Sequence, residues 1–149
     1  MILTEICGDL FTVSDDYYLA HCISADYRLG AGIARQFNIN YDMRRKLFRR
    51  FPHPEDPFSG NQKSYVGKAL LIDNIFNLVT KSRYFEKPTY DTLRHALEDM
   101  KRQCDKYSVK RLAMPRIGCG LDKLHWETVK EWIEEIFKDT DIEIVVYYL

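Results

Sequence analysis

The sequence predicts an α/β fold, a largely parallel β-sheet packed against helices. Short apolar runs alternate with amphipathic stretches along the whole chain. Two of the runs pass into a glycine-rich turn and then into a helical pattern. The chain closes on IEIVVYYL, a β-branched and aromatic run suited to a strand.

Each element follows from its local pattern. Residues 2–6 and 19–24 are apolar strand candidates. Residues 32–37 open a helix behind a glycine turn. Residues 41–51 read as a second helix, with Met43, Leu47 and Phe51 on one stripe. Pro52, Pro54, Pro57, Gly60 and Gly67 mark a surface loop, too short to separate two domains. Residues 68–73 and 76–81 are two further strands. Tyr90, Leu93, Leu97, Met100 and Cys104 step by 3, 4, 3 and 4, which is an amphipathic helix. Pro88 and Thr89 suit its start. Residues 112–117 form a buried strand. Trp126, Val129, Ile133 and Ile136 give another helical stripe before the terminal strand at 142–149.

Composition bounds the function. The chain has 149 residues, the size of one domain, and 22 basic side chains balance 22 acidic ones. Zero net charge argues against bulk nucleic-acid binding as the main task. No apolar run approaches the ~20 residues of a membrane span. The N-terminus lacks a signal peptide's basic-then-apolar pattern, so an intracellular protein without a membrane partner is expected. Cys7, Cys22, Cys104 and Cys119 form no CxxC pair, and the four histidines share no zinc-like spacing with them. Reduced thiols and no metal are the expectation. Charge is placed unevenly. Residues 28–50 carry seven basic side chains against one acidic, and residues 126–143 carry seven acidic against two basic. These are either solvated helix faces or, for the first segment, a basic rim beside an anion site.

Ligands of open α/β sheets bind where the strands end at their carboxyl edge. Three features fall at such ends. After the strand ending in His21, Cys22, Ile23 and Ser24 comes the turn Arg28, Leu29, Gly30, Ala31, Gly32, Ile33 and Ala34. Its glycines admit close backbone approach, and its helix start offers N–H groups to a phosphate. After the strand ending at Pro115 come Arg116, Ile117, Gly118, Cys119, Gly120, Leu121 and Asp122. Two such loops together would grip a diphosphate. Asp122 is either a helix-start residue favoured by the macrodipole or a catalytic acid. Lys81 closes an apolar strand, either as its solvent-facing end or as an amine nucleophile towards a sugar carbonyl. His21 and Cys119 read as packing residues and His125 as a surface residue. Tyr84 and Phe85 either stack on a ligand or pack their loop.

The motifs GDLF (8–11), AHCISADYRLGAGIARQF (20–37), VTKSRYFEKPTYDTL (79–93), MPRIGCGLDKLHWE (114–127) and VVYYL (145–149), in this order, resemble a macrodomain. Within that family they are similar to the terminal ADP-ribose protein glycohydrolases and their DNA-ADP-ribosyl glycohydrolase relatives. The likeness spans nearly the whole chain and is weakest from 38 to 74. Ser82 stands where relatives often keep a second lysine, and residues 41–67 have no familiar counterpart.

The resemblance implies one macrodomain over 1–149. It implies a three-layer αβα fold around a mixed, largely parallel sheet of about six strands. It implies a cleft for ADP-ribose, which is ligand and product, with no cofactor. Asp9 and Leu10 would lie near the adenine, with Leu149 closing that side. Ser24 and Gly30, Ala31, Gly32, Ile33 and Ala34 would face the ligand. Arg116, Ile117, Gly118, Cys119, Gly120 and Leu121 would form the second phosphate loop. Lys81 would attack the anomeric carbon of the distal ribose, and Asp122 would serve as acid and base. The implied activity is that of an ADP-ribosyl glycohydrolase or O-acyl-ADP-ribose deacylase. Its substrates would be esters of glutamate or aspartate, acyl esters or nucleobase links, on an ADP-ribosylated protein or nucleic acid, and the enzyme a monomer. The alternatives are a non-catalytic ADP-ribose reader, an ADP-ribose 1''-phosphate phosphatase, and a nucleic-acid binder using the arginines between 44 and 50.

Overall fold

Six strands form one sheet: β1 (Ile2–Cys7), β2 (Tyr18–Ser24), β3 (Ala69–Ile72), β4 (Ile75–Lys81), β5 (Arg111–Pro115) and β6 (Glu143–Tyr148). The computed structural model describes residues 1–52, 65–119 and 123–149. The sheet order is β1-β6-β5-β2-β4-β3. Every neighbouring pair is parallel except the β3–β4 hairpin, so five strands point the same way. The helices are α1 (Gly32–Tyr41), α2 (Met43–Arg50), α3 (Tyr90–Lys106) and α4 (Trp126–Phe137).

The helices lie on both faces, giving the three layers expected. Leu97 and Met100 of α3 and Ile133 and Phe137 of α4 pack on Phe76, Leu78, Leu112 and Ile144. Phe37 of α1 and Met43 and Leu47 of α2 pack on Leu19, Ile23, Ile75 and Val79 from the other side. Strand β4 is therefore buried on both faces, which accounts for its mostly apolar run, interrupted by the buried Asn77 and Thr80. Helix α3 starts with a capping box between Thr89 and Thr92, immediately after Pro88. Among the described residues no helix is long and apolar enough to cross a membrane.

Some boundaries move. The first helix runs on to Tyr41, and the second begins at Met43, not at 41. Asp42 separates them with a left-handed backbone, φ 54°, which a short polar side chain tolerates better than most. The Asn38 carboxamide accepts the Arg44 N–H across this joint at 3.0 Å. Phe137, not Ile136, is the fully buried residue at the end of α4. A 3₁₀ turn over Leu10–Thr12, capped by Asp9, was not anticipated. Three residues are too few to show a periodicity.

Candidate active site

The five parallel strands end along one edge, at Cys7, Tyr148, Pro115, Ser24 and Lys81. A cleft of about 690 Å³ opens there, between the turn before α1 and the loops that follow β4 and β5. Its volume lies in the ordinary range for small-molecule sites.

The turn before α1 is shaped by two residues in an unfavourable backbone region. Tyr27 and Leu29 have φ of 53° and 44°. Such angles cost a non-glycine residue about 1–2 kcal/mol each, so the surroundings must impose them. Both side chains are buried. The Tyr27 hydroxyl donates to the Phe51 carbonyl at 3.0 Å, and its ring meets Phe48 edge-on. Arg44 Nε donates to the Tyr27 carbonyl at 2.9 Å. Held in this way, the turn presents Arg28 and Gly30, Ala31, Gly32, Ile33 and Ala34 to the cleft. Helix α1 has no side-chain cap at Ala31 and no acidic residue in its first turn. Its start thus offers N–H donors and the positive end of its dipole, which suit a phosphate.

Lys81 ends β4 and lines the cleft with Ser24. Its carbonyl accepts the Ala25 N–H at 2.8 Å, so pairing continues past the last residue of β2. Tyr84 and Phe85 follow at the mouth, both exposed, in an edge-to-face pair at 5.4 Å. The Arg28 guanidinium stands 4.9 Å over the Tyr84 ring. Among the described lining residues, Arg28, Lys81, Lys87, Arg116 and Lys123 face a single acidic side chain, Glu86. That balance favours an anionic ligand.

The loop after β5 contributes Arg116, Ile117 and Gly118. Gly118 has φ 78°, and an added Cβ would sit 3.1 Å from both Leu93 Cδ2 and Leu124 Cδ1. The angle calls for glycine, and a methyl group would press on both leucine side chains. Arg116 stacks 4.1 Å over the Tyr148 ring and donates through Nε to Glu5 Oε1 at 3.2 Å. Glu5 also accepts Trp126 Nε1 at 2.9 Å and Lys130 Nζ at 3.2 Å. Partial burial alone would raise the Glu5 carboxyl. The hydrogen bonds from Lys130, Trp126 and Arg116 outweigh it and hold Glu5 below its ordinary value. One carboxylate thereby joins β1, α4 and the cleft loop.

Other expected site residues lie off the lining. Cys119 turns its thiol back to the Ile117 carbonyl at 3.2 Å. Asp9 accepts the Phe11 N–H at 3.0 Å as the cap of the 3₁₀ turn, and Leu10 is buried. Leu149 is fully exposed. The Gly8 N–H donates to the Tyr148 carbonyl at 2.8 Å, which brings Asp9 and Leu149 to the same end of the sheet. Gly120, Leu121 and Asp122 lie outside the described residues.

His21 belongs to the core. It is fully buried, its Nε2 lies 2.6 Å from Asn77 Oδ1, and its ring stacks on Phe37 at 3.8 Å. Burial pushes its pKa down to about 4, against the Asn77 hydrogen bond, so the ring is neutral at pH 7. Among the described residues, no three His, Cys, Asp or Glu side chains gather as a metal centre would need.

Sequence reasoning missed Glu5 and Asp26. Glu5 carries no local signal, because its partners lie 111 to 125 residues away. Asp26 has one: an aspartate just past a strand end commonly accepts N–H groups of its own turn.

No family model matches the chain. The chain is 43% identical over 151 residues to the human ADP-ribose glycohydrolase OARD1, covering 99% of this chain and 91% of that protein. The macrodomain of Mycobacterium tuberculosis DarG superposes with a TM-score of 0.81, at 23% identity, over 99% of this chain and 98% of that one. Thermosipho africanus DarTG, solved in complex with ADP-ribose, superposes with a TM-score of 0.78, at 18% identity, over 98% of this chain and 41% of that one.

Proposed function

The chain belongs to the macrodomain family, in the group of the ADP-ribose glycohydrolase OARD1, and we propose that it releases ADP-ribose from ester-type acceptors through a lysine adduct. The acceptors in this reading are glutamate and aspartate side chains, O-acyl groups or nucleobases. The observation that carries the proposal is the position of Lys81. It lines the cleft beside Ser24, in company with a helix start suited to phosphate and a second glycine loop.

The diphosphate would lie between the N–H groups at the start of α1 and the Arg116 loop, among the basic side chains of the cleft. The distal ribose would then reach the end of β4. The unprotonated Lys81 amine attacks the anomeric carbon, and the bond from that carbon to the acceptor breaks. A glutamate, aspartate or acyl acceptor leaves through oxygen as a carboxylate; a nucleobase leaves through its ring nitrogen and takes up a proton. The attacking nitrogen gives up one proton to solvent. Asp122, in the motif GCGLD, enters protonated and gives its proton to the ring oxygen as the sugar opens to a protonated imine. Water adds to the imine carbon and Asp122 takes back its proton. The carbon–nitrogen bond breaks, and ADP-ribose and free Lys81 result. Positioning by the two loops lowers the entropic part of the barrier.

The test is release of ADP-ribose from two matched substrates, a glutamate-linked ADP-ribosylated protein and an ADP-ribosylated DNA strand. Wild type, Lys81→Ala and Asp122→Ala are compared. Release by wild type alone supports the lysine–aspartate mechanism, and the preferred substrate identifies the acceptor. ADP-ribose binding without release from either substrate would make the protein a reader.

A further inference from the structure

Asp26 stands two residues beyond Ser24 and does not line the cleft. Its carboxylate nevertheless ties together three segments that do. Oδ1 accepts the Ser24 hydroxyl at 2.5 Å and the Arg28 N–H at 3.0 Å, and Oδ2 accepts the Tyr84 N–H at 2.8 Å. The Asp26 N–H donates to the Ser82 carbonyl at 3.1 Å. The end of β2, the turn into α1 and the loop following Lys81 thus share one half-buried side chain.

The chemistry requires a carboxylate. Both oxygens accept, and all three partners are donors. Hydrogen bonds to an ionised acceptor are about twice as strong as neutral ones. An amide offers one acceptor oxygen. It would keep either the Ser24 and Arg28 pair or the Tyr84 bond, and would aim its NH₂ at a donor on the other side. Asp26 also fixes the Ser24 proton. Because the hydroxyl donates to Asp26, the Ser24 oxygen presents lone pairs elsewhere, as an acceptor beside Lys81.

We infer that Asp26 is a positioning residue for the hydrolysis: it orients the Ser24 hydroxyl and fixes the loops on either side of Lys81. This rests on the reading of Lys81 as nucleophile. Asp26 lies off the cleft lining and acts through Ser24 and the 82–84 backbone.

The experiment compares wild type, Lys81→Ala, Asp26→Asn, Asp26→Ala, Ser24→Ala and the Ser24→Ala/Asp26→Asn double variant on a glutamate-linked ADP-ribosylated protein. It measures kcat and KM, the Kd for ADP-ribose by calorimetry, and Tm. Asp26→Asn is expected to lower kcat roughly ten- to a hundredfold, as a misplaced reacting group does, with KM and Kd within about threefold of wild type. Removing the Ser24 hydroxyl is expected to cost less in the Asp26→Asn background than in wild type, because the two act as a unit. Wild-type kcat in Asp26→Asn and Asp26→Ala overturns the inference. So does a Kd that rises in step with the loss of kcat, which would make Asp26 a support of ligand binding only. If Asp26→Ala does not fold, the isosteric Asp26→Asn decides. A wild type that releases nothing, like Lys81→Ala, overturns the hydrolase reading and this inference with it. An active wild type with an inert Lys81→Ala leaves that reading standing whatever Asp26 does.

Discussion

Ser24 pairs with Lys81 across β2 and β4, one residue out of step with the pairing before it. Ile23 pairs with Val79, so Thr80 is an extra residue on β4. Bulges are rare between parallel strands and cluster next to active sites, where they re-aim a side chain. This one is latched from outside the sheet. The Thr80 carbonyl accepts the Thr92 hydroxyl at 2.6 Å, and Thr92 also closes the capping box of α3. The helix start and the strand end that carries Lys81 are thereby one unit.

Thr92→Val keeps the shape of the side chain and removes the hydroxyl. It is expected to cost about 1–2 kcal/mol of stability, because the Thr89 N–H loses its capping-box acceptor and the Thr80 carbonyl loses the hydroxyl that donates to it. A lower kcat with near-normal ADP-ribose affinity should accompany it. Chemical denaturation and steady-state kinetics measure both effects.

His21 makes stability fall in mild acid. Its folded pKa of about 4 lies below its ordinary 6.5, so the unfolded chain binds the proton more readily. The contribution of the neutral ring is complete above pH 6.5 and declines as pH falls towards 4. The gap corresponds to about 3 kcal/mol at full extent. His21→Gln is expected to be less stable at pH 7 and to show a flatter decline between pH 6.5 and 5. Urea denaturation across that range checks the slope.

Glu5 acts at lower pH. Its folded pKa lies below its ordinary 4.5, so its contribution is present above that value and lost as pH falls through the folded one. Glu5→Ala is expected to cost about 1–2 kcal/mol, by leaving Trp126, Lys130 and Arg116 without their shared acceptor. Because Arg116 lines the cleft, ADP-ribose affinity should fall severalfold as well. Calorimetric titration of the variant at pH 7 measures this.

Gly118→Ala is expected to destabilise the loop after β5 by about 1–2 kcal/mol. Its φ of 78° disfavours any side chain, and Leu93 and Leu124 leave little room for a methyl group. ADP-ribose binding should weaken with it. An unchanged Tm and Kd would contradict the required role of this glycine.

The fold was legible wherever a pattern ran long enough to repeat. The 3-4-3-4 spacing from Tyr90 to Cys104 announced α3, and the β-branched run at 142–149 announced β6. The joint at Asp42 was not legible, because it depends on one left-handed residue between two helices whose patterns run together. The site divides in the same way. The glycine turns and Lys81 sit in short contiguous motifs, so sequence reached them. Glu5 and Asp26 act through hydrogen bonds that only the folded sheet brings together, Asp26 to Tyr84 across 58 positions and Glu5 to Trp126 across 121. The left-handed backbone at Tyr27 and Leu29 has no mark in the sequence, because burial of the two side chains imposes it.

The central claim is a covalent intermediate on Lys81. The most direct measurement is reductive trapping: wild-type protein is mixed with a glutamate-linked ADP-ribosylated substrate and a hydride reductant, digested and analysed by mass spectrometry. An ADP-ribose adduct is expected on the peptide that contains Lys81, formed in step with loss of substrate and missing in Lys81→Ala. Steady release of ADP-ribose with no trapped adduct, and continued release by Lys81→Ala, would contradict it.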